Sequence, residues 1–149
     1  MTDDRPFPVP QDRHYDPKHH LWAQREEATG RVRIGIDSIG LESLGEIAYV
    51  ALRDVGTSIT RGESMGSLEA AKMTSDIVAP VSGTITDRNE AVLRDPMLVN
   101  REPYGAGWIV EIEARVWSED AKALVSGTAI PGWAAAEITR LEQESESDG

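Results

Sequence analysis

Apolar residues recur at every second position in several short runs, each closed by Gly, Pro or Asp. Val32, Ile34 and Ile36 alternate with Arg31, Arg33 and Gly35, the period-two pattern of a strand with one buried face. Leu21 and Trp22 open an earlier strand and Gly30 turns the chain between the two, so residues 21–36 predict a hairpin. Asp37 or Ser38 then offers a side-chain oxygen to the free amides of a helix start. That helix is predicted through Leu41 to Leu44, stopping at Gly45. Further strands are predicted at Ile47–Leu52, at residues 63–68 and 77–78, at residues 84–86 and at residues 108–112. Turns fall at Asp54-Val55-Gly56, Asp95-Pro96 and Pro103-Tyr104-Gly105-Ala106-Gly107. Gly83 and Gly107, each where a turn meets a strand, are expected to supply backbone angles that a side chain excludes.

After Glu119 the pattern lengthens. Ala121, Leu124 and Val125 suit a short helix, and Trp133, Ala136, Ile138 and Leu141 give a second helix an apolar stripe. The first dozen residues are Pro-rich and polar, the composition of an extended segment. The predicted organisation is a flexible arm over residues 1–13, a domain over 14–117, a helical extension packed on it over 118–141, and a disordered acidic tail over 142–149. Short strands divided by Gly and Pro, with helices only at the margins, predict an all-β fold.

Composition removes whole classes of function. The 149 residues suit one domain with a single core. Without cysteine there is neither a disulfide framework nor a thiolate metal site, and His14, His19 and His20 lack an acid at ligand spacing. A formal net charge of −11 opposes nucleic acid and anionic lipid and favours fast, weak encounter with basic partners. No apolar run is long enough to cross a bilayer. The start, Met1 to Pro10, has neither a secretory nor a transit pattern, so a cytoplasmic location is expected. No nucleophile with its base, metal cluster or phosphate loop points to an independent enzyme, and no catalytic residue is assigned.

One residue does carry chemistry. Lys72, one of three lysines, falls in a predicted turn between strand-like runs, with the small residues Ala70, Ala71, Thr74 and Ser75 around it. Most lysines are simply solvated. Here the small neighbours leave room for a modifying enzyme to close around the amine, which is what a swinging arm requires.

The flanking residues sharpen this. Glu69-Ala70-Ala71-Lys72, followed by Ser75-Asp76 and Pro80-Val81-Ser82-Gly83, resembles the lipoyl-attachment region of the glycine cleavage system H-protein family, where Glu-Ser-Val-Lys precedes Ser-Asp and Pro-x-Ser-Gly. The resemblance continues through residues 44–52 and 100–108 and covers about residues 14–140. It implies a lipoyl-type barrel-sandwich hybrid of two antiparallel sheets, with lipoic acid in covalent linkage to Lys72 at a hairpin tip. Glu69 and Asp76 would lie near the arm. The implied function is a monomeric carrier, modified by a lipoate ligase or lipoyl transferase. It would shuttle an aminomethyl group among glycine decarboxylase, aminomethyltransferase and dihydrolipoamide dehydrogenase.

Departures keep other readings open. Where the family usually has His-Glu-Trp, often preceded by serine, this chain reads His19-His20-Leu21-Trp22, so Leu21 replaces the acid and His19 the hydroxyl. Ala70-Ala71 replaces Ser-Val, and Arg53-Asp54 stands where Leu-Pro is usual. The H-protein-like lipoate-binding proteins of bacterial sulfur oxidation, which serve heterodisulfide-reductase-like enzymes, share the fold and the lysine. A relative that is never lipoylated and acts as a binding module is the third reading. Ala71-Lys72-Met73 partly matches the Ala-Met-Lys-Met of biotin carriers but lacks the preceding methionine, so lipoate is expected.

Overall fold

A computed structural model describes residues 8–147. In chain order the strands are β1 (His14–Asp16), β2 (Leu21–Arg25), β3 (Arg31–Ile36), β4 (Ile47–Leu52), β5 (Ser58–Ile59), β6 (Ser64–Ala70), β7 (Thr74–Val78), β8 (Gly83–Arg88) and β9 (Val110–Ala114). The helices are α1 (Ser38–Leu44), α2 (Glu90–Arg94), α3 (Met97–Arg101), α4 (Trp117–Asp120) and α5 (Ile130–Ser147). Six strands pair in the order β1-β2-β3-β9-β8-β5 and three in the order β4-β6-β7, with every pairing antiparallel.

The alternation that predicted β3 builds the core. Val32, Ile34 and Ile36 are buried while Arg31 and Arg33 reach solvent. Ile85 and Ile112 join them from the larger sheet and Val50, Leu68 and Ile77 from the smaller, all in one apolar cluster. Each such side chain contributes about 1.5–3 kcal/mol on burial. Gly35 interrupts the apolar run because Trp22, its cross-strand partner, lies over it. A Cβ there would sit 2.5 Å from the indole.

A second cluster explains why β2 is buried at Leu21, Trp22 and Ala23 in succession. Tyr15, Trp22 and Ile39 pack with Ile130 and Ala134 of α5 and with Val9. The apolar stripe of α5 therefore runs through the buried Ile130 and Ala134 and the half-buried Ile138 and Leu141, with Trp133 beside it. Ala136, expected in that stripe, is exposed, because helical periodicity places residue 134 in line with 130, 138 and 141.

Several other expectations change. Residues 8–13 are packed, whereas a flexible arm was expected over 1–13. Val9 and Arg13 are buried. Ser38 Oγ donates to Pro8 O and the Tyr15 hydroxyl to Pro10 O, both at 2.6 Å. The Arg13 guanidinium lies 4.7 Å from the Trp22 ring centre and 5.2 Å from that of Tyr104. Residues 1–7 lie outside the described part. At the other end α5 runs to Ser147, so residues 142–147 extend a helix where a disordered tail was expected. Arg140 Nη1 donates to Glu144 at 2.8 Å, an i,i+4 pairing that supports the helix. Residues 148 and 149 lie outside the described part.

Leu124 and Val125 are not helical. A 3-10 turn ends at Ala123, and Val125 exchanges two backbone hydrogen bonds with Tyr15 at 2.8 and 2.9 Å, extending the β1 edge of the larger sheet. Gly83 and Gly107 do not have positive φ, so their expected turn-angle role is replaced by close approach. A Cβ on Gly83 would sit 2.1 Å from Glu113 O, and one on Gly107 2.5 Å from Glu102 O.

Candidate functional site

The β6–β7 hairpin carries Lys72 at its tip, and the side chain is exposed. What positions this tip is the end of α1. Asp37 caps the helix by accepting from Gly40 N at 2.7 Å, and Gly45 closes it with φ 80°, donating to Leu41 O at 2.8 Å. That left-handed angle suits glycine. A Cβ at position 45 would also lie 3.3 Å from Ala71 Cβ and 3.4 Å from Lys72 Cγ. The hairpin then bonds to the chain around Gly45. Ala71 N donates to Glu46 O at 2.9 Å and Lys72 N to Leu44 O at 3.0 Å. Asn100 braces the same place from α3, accepting from Ile47 N at 2.8 Å and donating to Gly45 O at 3.0 Å.

Lys72 Nζ donates to Glu42 O at 2.8 Å. A cation suits the carbonyl-rich end of a helix. An acylated amine keeps one N–H, so modification would not forbid this contact.

Two grooves border α1, and Lys72 lines one of them. One, of about 440 Å³, is bordered by Lys72, Leu41, Glu42, Glu46, Asn100 and Arg101. The other, of about 200 Å³, runs between β7 and the β1–β2 turn. Its apolar wall includes Leu21, Ile36, Leu44, Leu68 and Ile77, and its polar groups include Lys18, His19, His20, Ser43, Ser75 and Asp76. Leu44 connects the two features, since its carbonyl receives the Lys72 N–H.

The structure thus brings Asp76, Leu21 and His19 to one groove. Glu69 is exposed on β6, opposite Thr74 on one side and Tyr49 on the other, and lines neither groove. Asp76 is the single carboxylate along the smaller groove. His19 Nδ1 lies 3.0 Å from Asp16 Oδ2. His14 packs edge-on against Trp117 at 4.9 Å, and burial lowers its pKa. No group of three or more His, Cys, Asp or Glu side chains among the described residues could hold a metal ion.

Ser82, read from the sequence as part of the attachment pattern, is a structural junction away from the tip. Its N–H donates to Asp120 at 2.8 Å, its hydroxyl accepts from Arg61 N at 2.8 Å and its carbonyl accepts from Arg115 N at 3.0 Å. Sequence reasoning missed Asn100 as a brace and His20 as a contact. Asn100 opens one of the family-like stretches, which was the available signal. The partners of His20 lie 17 and 117 residues away, a distance that no local pattern reports.

Similarity to known proteins agrees with this geometry. Residues 13–134 match the model of the family described as glycine cleavage H-protein. The glycine cleavage system H protein of Mycobacterium avium is 42% identical over 118 residues, covering 79% of this chain and 85% of that protein. That of Mycobacterium tuberculosis is 40% identical over the same span. The crystal structure of a glycine cleavage system H protein from Mycobacterium marinum superposes with a TM-score of 0.74 at 33% identity, covering 86% of this chain and 98% of that one. The two antiparallel sheets are the barrel-sandwich hybrid expected, and the chain belongs to the glycine cleavage H-protein family.

Proposed function

We propose that this chain is the lipoyl carrier of a glycine cleavage system, with lipoic acid in amide linkage to Lys72. The observation that carries the reading is an exposed lysine at the tip of a braced hairpin whose strand β7 places Asp76 in a groove. The residues present fit the group. The apolar wall of Leu21, Leu44, Leu68 and Ile77 suits an aliphatic chain, and the open tip admits a modifying enzyme. When bound, lipoate supplies a dithiolane that exchanges cargo and electrons with partner enzymes, while the protein supplies attachment, orientation and shelter. The chain is a carrier and not itself an enzyme. Its partners are a lipoate ligase or lipoyl transferase, then glycine decarboxylase, aminomethyltransferase and dihydrolipoamide dehydrogenase, with the protein acting as a cytoplasmic monomer. Asp76 is the group that would face a cationic cargo, and Glu69 stands on the β6 strand of the hairpin.

One observation favours a second reading. With Leu21 where the family usually has an acid, and Lys18 and His19 on the same groove, the site is less suited to a cation. A carrier serving heterodisulfide-reductase-like enzymes of sulfur oxidation would be free of that demand.

Incubation with a lipoate ligase and intact-mass measurement tests the attachment site. One lipoyl addition is expected on the parent and none on Lys72→Arg. An addition that survives this substitution refutes the assignment.

A further inference from the structure

His20 has φ 56°, in the left-handed region that residues with a side chain seldom enter. Five contacts hold it there. Its N–H donates to Asp16 O and its carbonyl accepts from Asp37 N, both at 2.9 Å. Ring Nδ1 lies 3.2 Å from Asp37 Oδ2 and Nε2 3.0 Å from Glu137 Oε2. The ring stacks on Trp133 of α5, with centres 5.9 Å apart and planes 25° from parallel. His20 therefore spans the cap of α1 and the face of α5. It also lines the groove that holds Leu21 and Asp76.

The two carboxylates set its chemistry. A neutral imidazole has one N–H and can donate to only one of them, leaving a lone pair against the other. An imidazolium donates to both. We infer that His20 is a charge-dependent latch, which as imidazolium ties α5 to the cap of α1 and to the turn that walls the groove, and on losing its proton lets Glu137 go.

Geometry decides which contact breaks. The Asp37 side chain has no exposed surface and cannot be left bare cheaply. Glu137 is 18% exposed and retains Arg140 at 2.9 Å. The other charged groups nearby are Asp16, paired with His19, and Lys18 on the turn, with Asp76 across the groove on β7. Burial opposes the His20 charge, but hydrogen bonds and attraction from Asp37 and Glu137 outweigh it and raise its pKa above the ordinary value. Burial likewise pushes the Asp37 carboxyl up, against the pull of His20 and the Gly40 N–H. A histidine whose folded pKa is raised contributes its full stabilisation below about pH 6.5. That contribution is lost as pH rises through the folded value. The latch thus opens as pH rises above histidine's ordinary value.

The test uses the full, unlipoylated chain, so it stands or falls apart from the carrier assignment. NMR from about pH 5.5 to 9 would follow the His20 ring nitrogens, amide exchange over residues 133–138 and the Asp76 amide. A shared midpoint is expected. After correction for intrinsic pH dependence, α5 should open about tenfold more readily above it, the equivalent of one charge-assisted hydrogen bond. His20→Asn, which tolerates a positive φ, should abolish the step, and Glu137→Gln should lower the His20 midpoint. The latch is overturned if α5 and the groove titrate independently of His20, or if the step persists in His20→Asn. If His20→Asn does not fold, an unchanged midpoint in Glu137→Gln overturns it equally.

Discussion

Leu21 and Asp76 line one groove from two sheets, Leu21 from β2 and Asp76 from β7. A cation entering a partly apolar groove needs an anion to offset lost hydration. Leucine cannot supply one. If the cargo is aminomethyl, Asp76 must do so. Because Asp76 is exposed, the pair is worth at most about 1 kcal/mol. Asp76→Ala should therefore shorten the lifetime of the loaded carrier by only about two- to fivefold, and Leu21→Glu should lengthen it. Lipoylated protein mixed with glycine decarboxylase and glycine, with the loaded mass followed over time, measures both. Unchanged lifetimes would remove the two residues from cargo handling. A lipoylated chain that an active decarboxylase cannot load would favour the sulfur-oxidation reading.

At the scale of elements, β8 shows how a correct position can be read for the wrong cause. Gly83 was expected to serve a turn by its backbone freedom, yet what requires glycine is Glu113 O, 2.1 Å from where a Cβ would stand. Gly83→Ala should then destabilise the fold by about 1–3 kcal/mol through overpacking, read as a fall in the urea midpoint. An unchanged midpoint would show that β8 and β9 can separate at no cost. The hairpin of β2 and β3, the capped helix α1 and strands β4, β6 and β8 were legible because each spans enough residues to show its period or its cap. Helices α2 and α3, five residues each, and the three-residue β1 do not complete a pattern. Their apolar residues take meaning only from the sheets they cover.

For the whole molecule, a formal charge of −11 predicts that encounter with a basic partner is steered. Association with glycine decarboxylase should slow several-fold between about 0.05 and 0.5 M salt while dissociation changes little, since steering acts on approach and is screened within a few ångströms at high salt. Stopped-flow rates independent of salt would refute steering. The amino-acid order by itself determined the all-β character of the chain, a helix start capped by Asp37 or Ser38 and the position of Lys72 in a turn, because these depend on local periodicity and on neighbours within a few residues. The tertiary structure alone decided that α5 covers Trp22, that residues 8–13 are packed, that Leu21 shares a groove with Asp76, and that His20 joins Asp37 to Glu137. Those contacts join residues far apart in the chain, and only the folded sheets and α5 bring them within bonding distance.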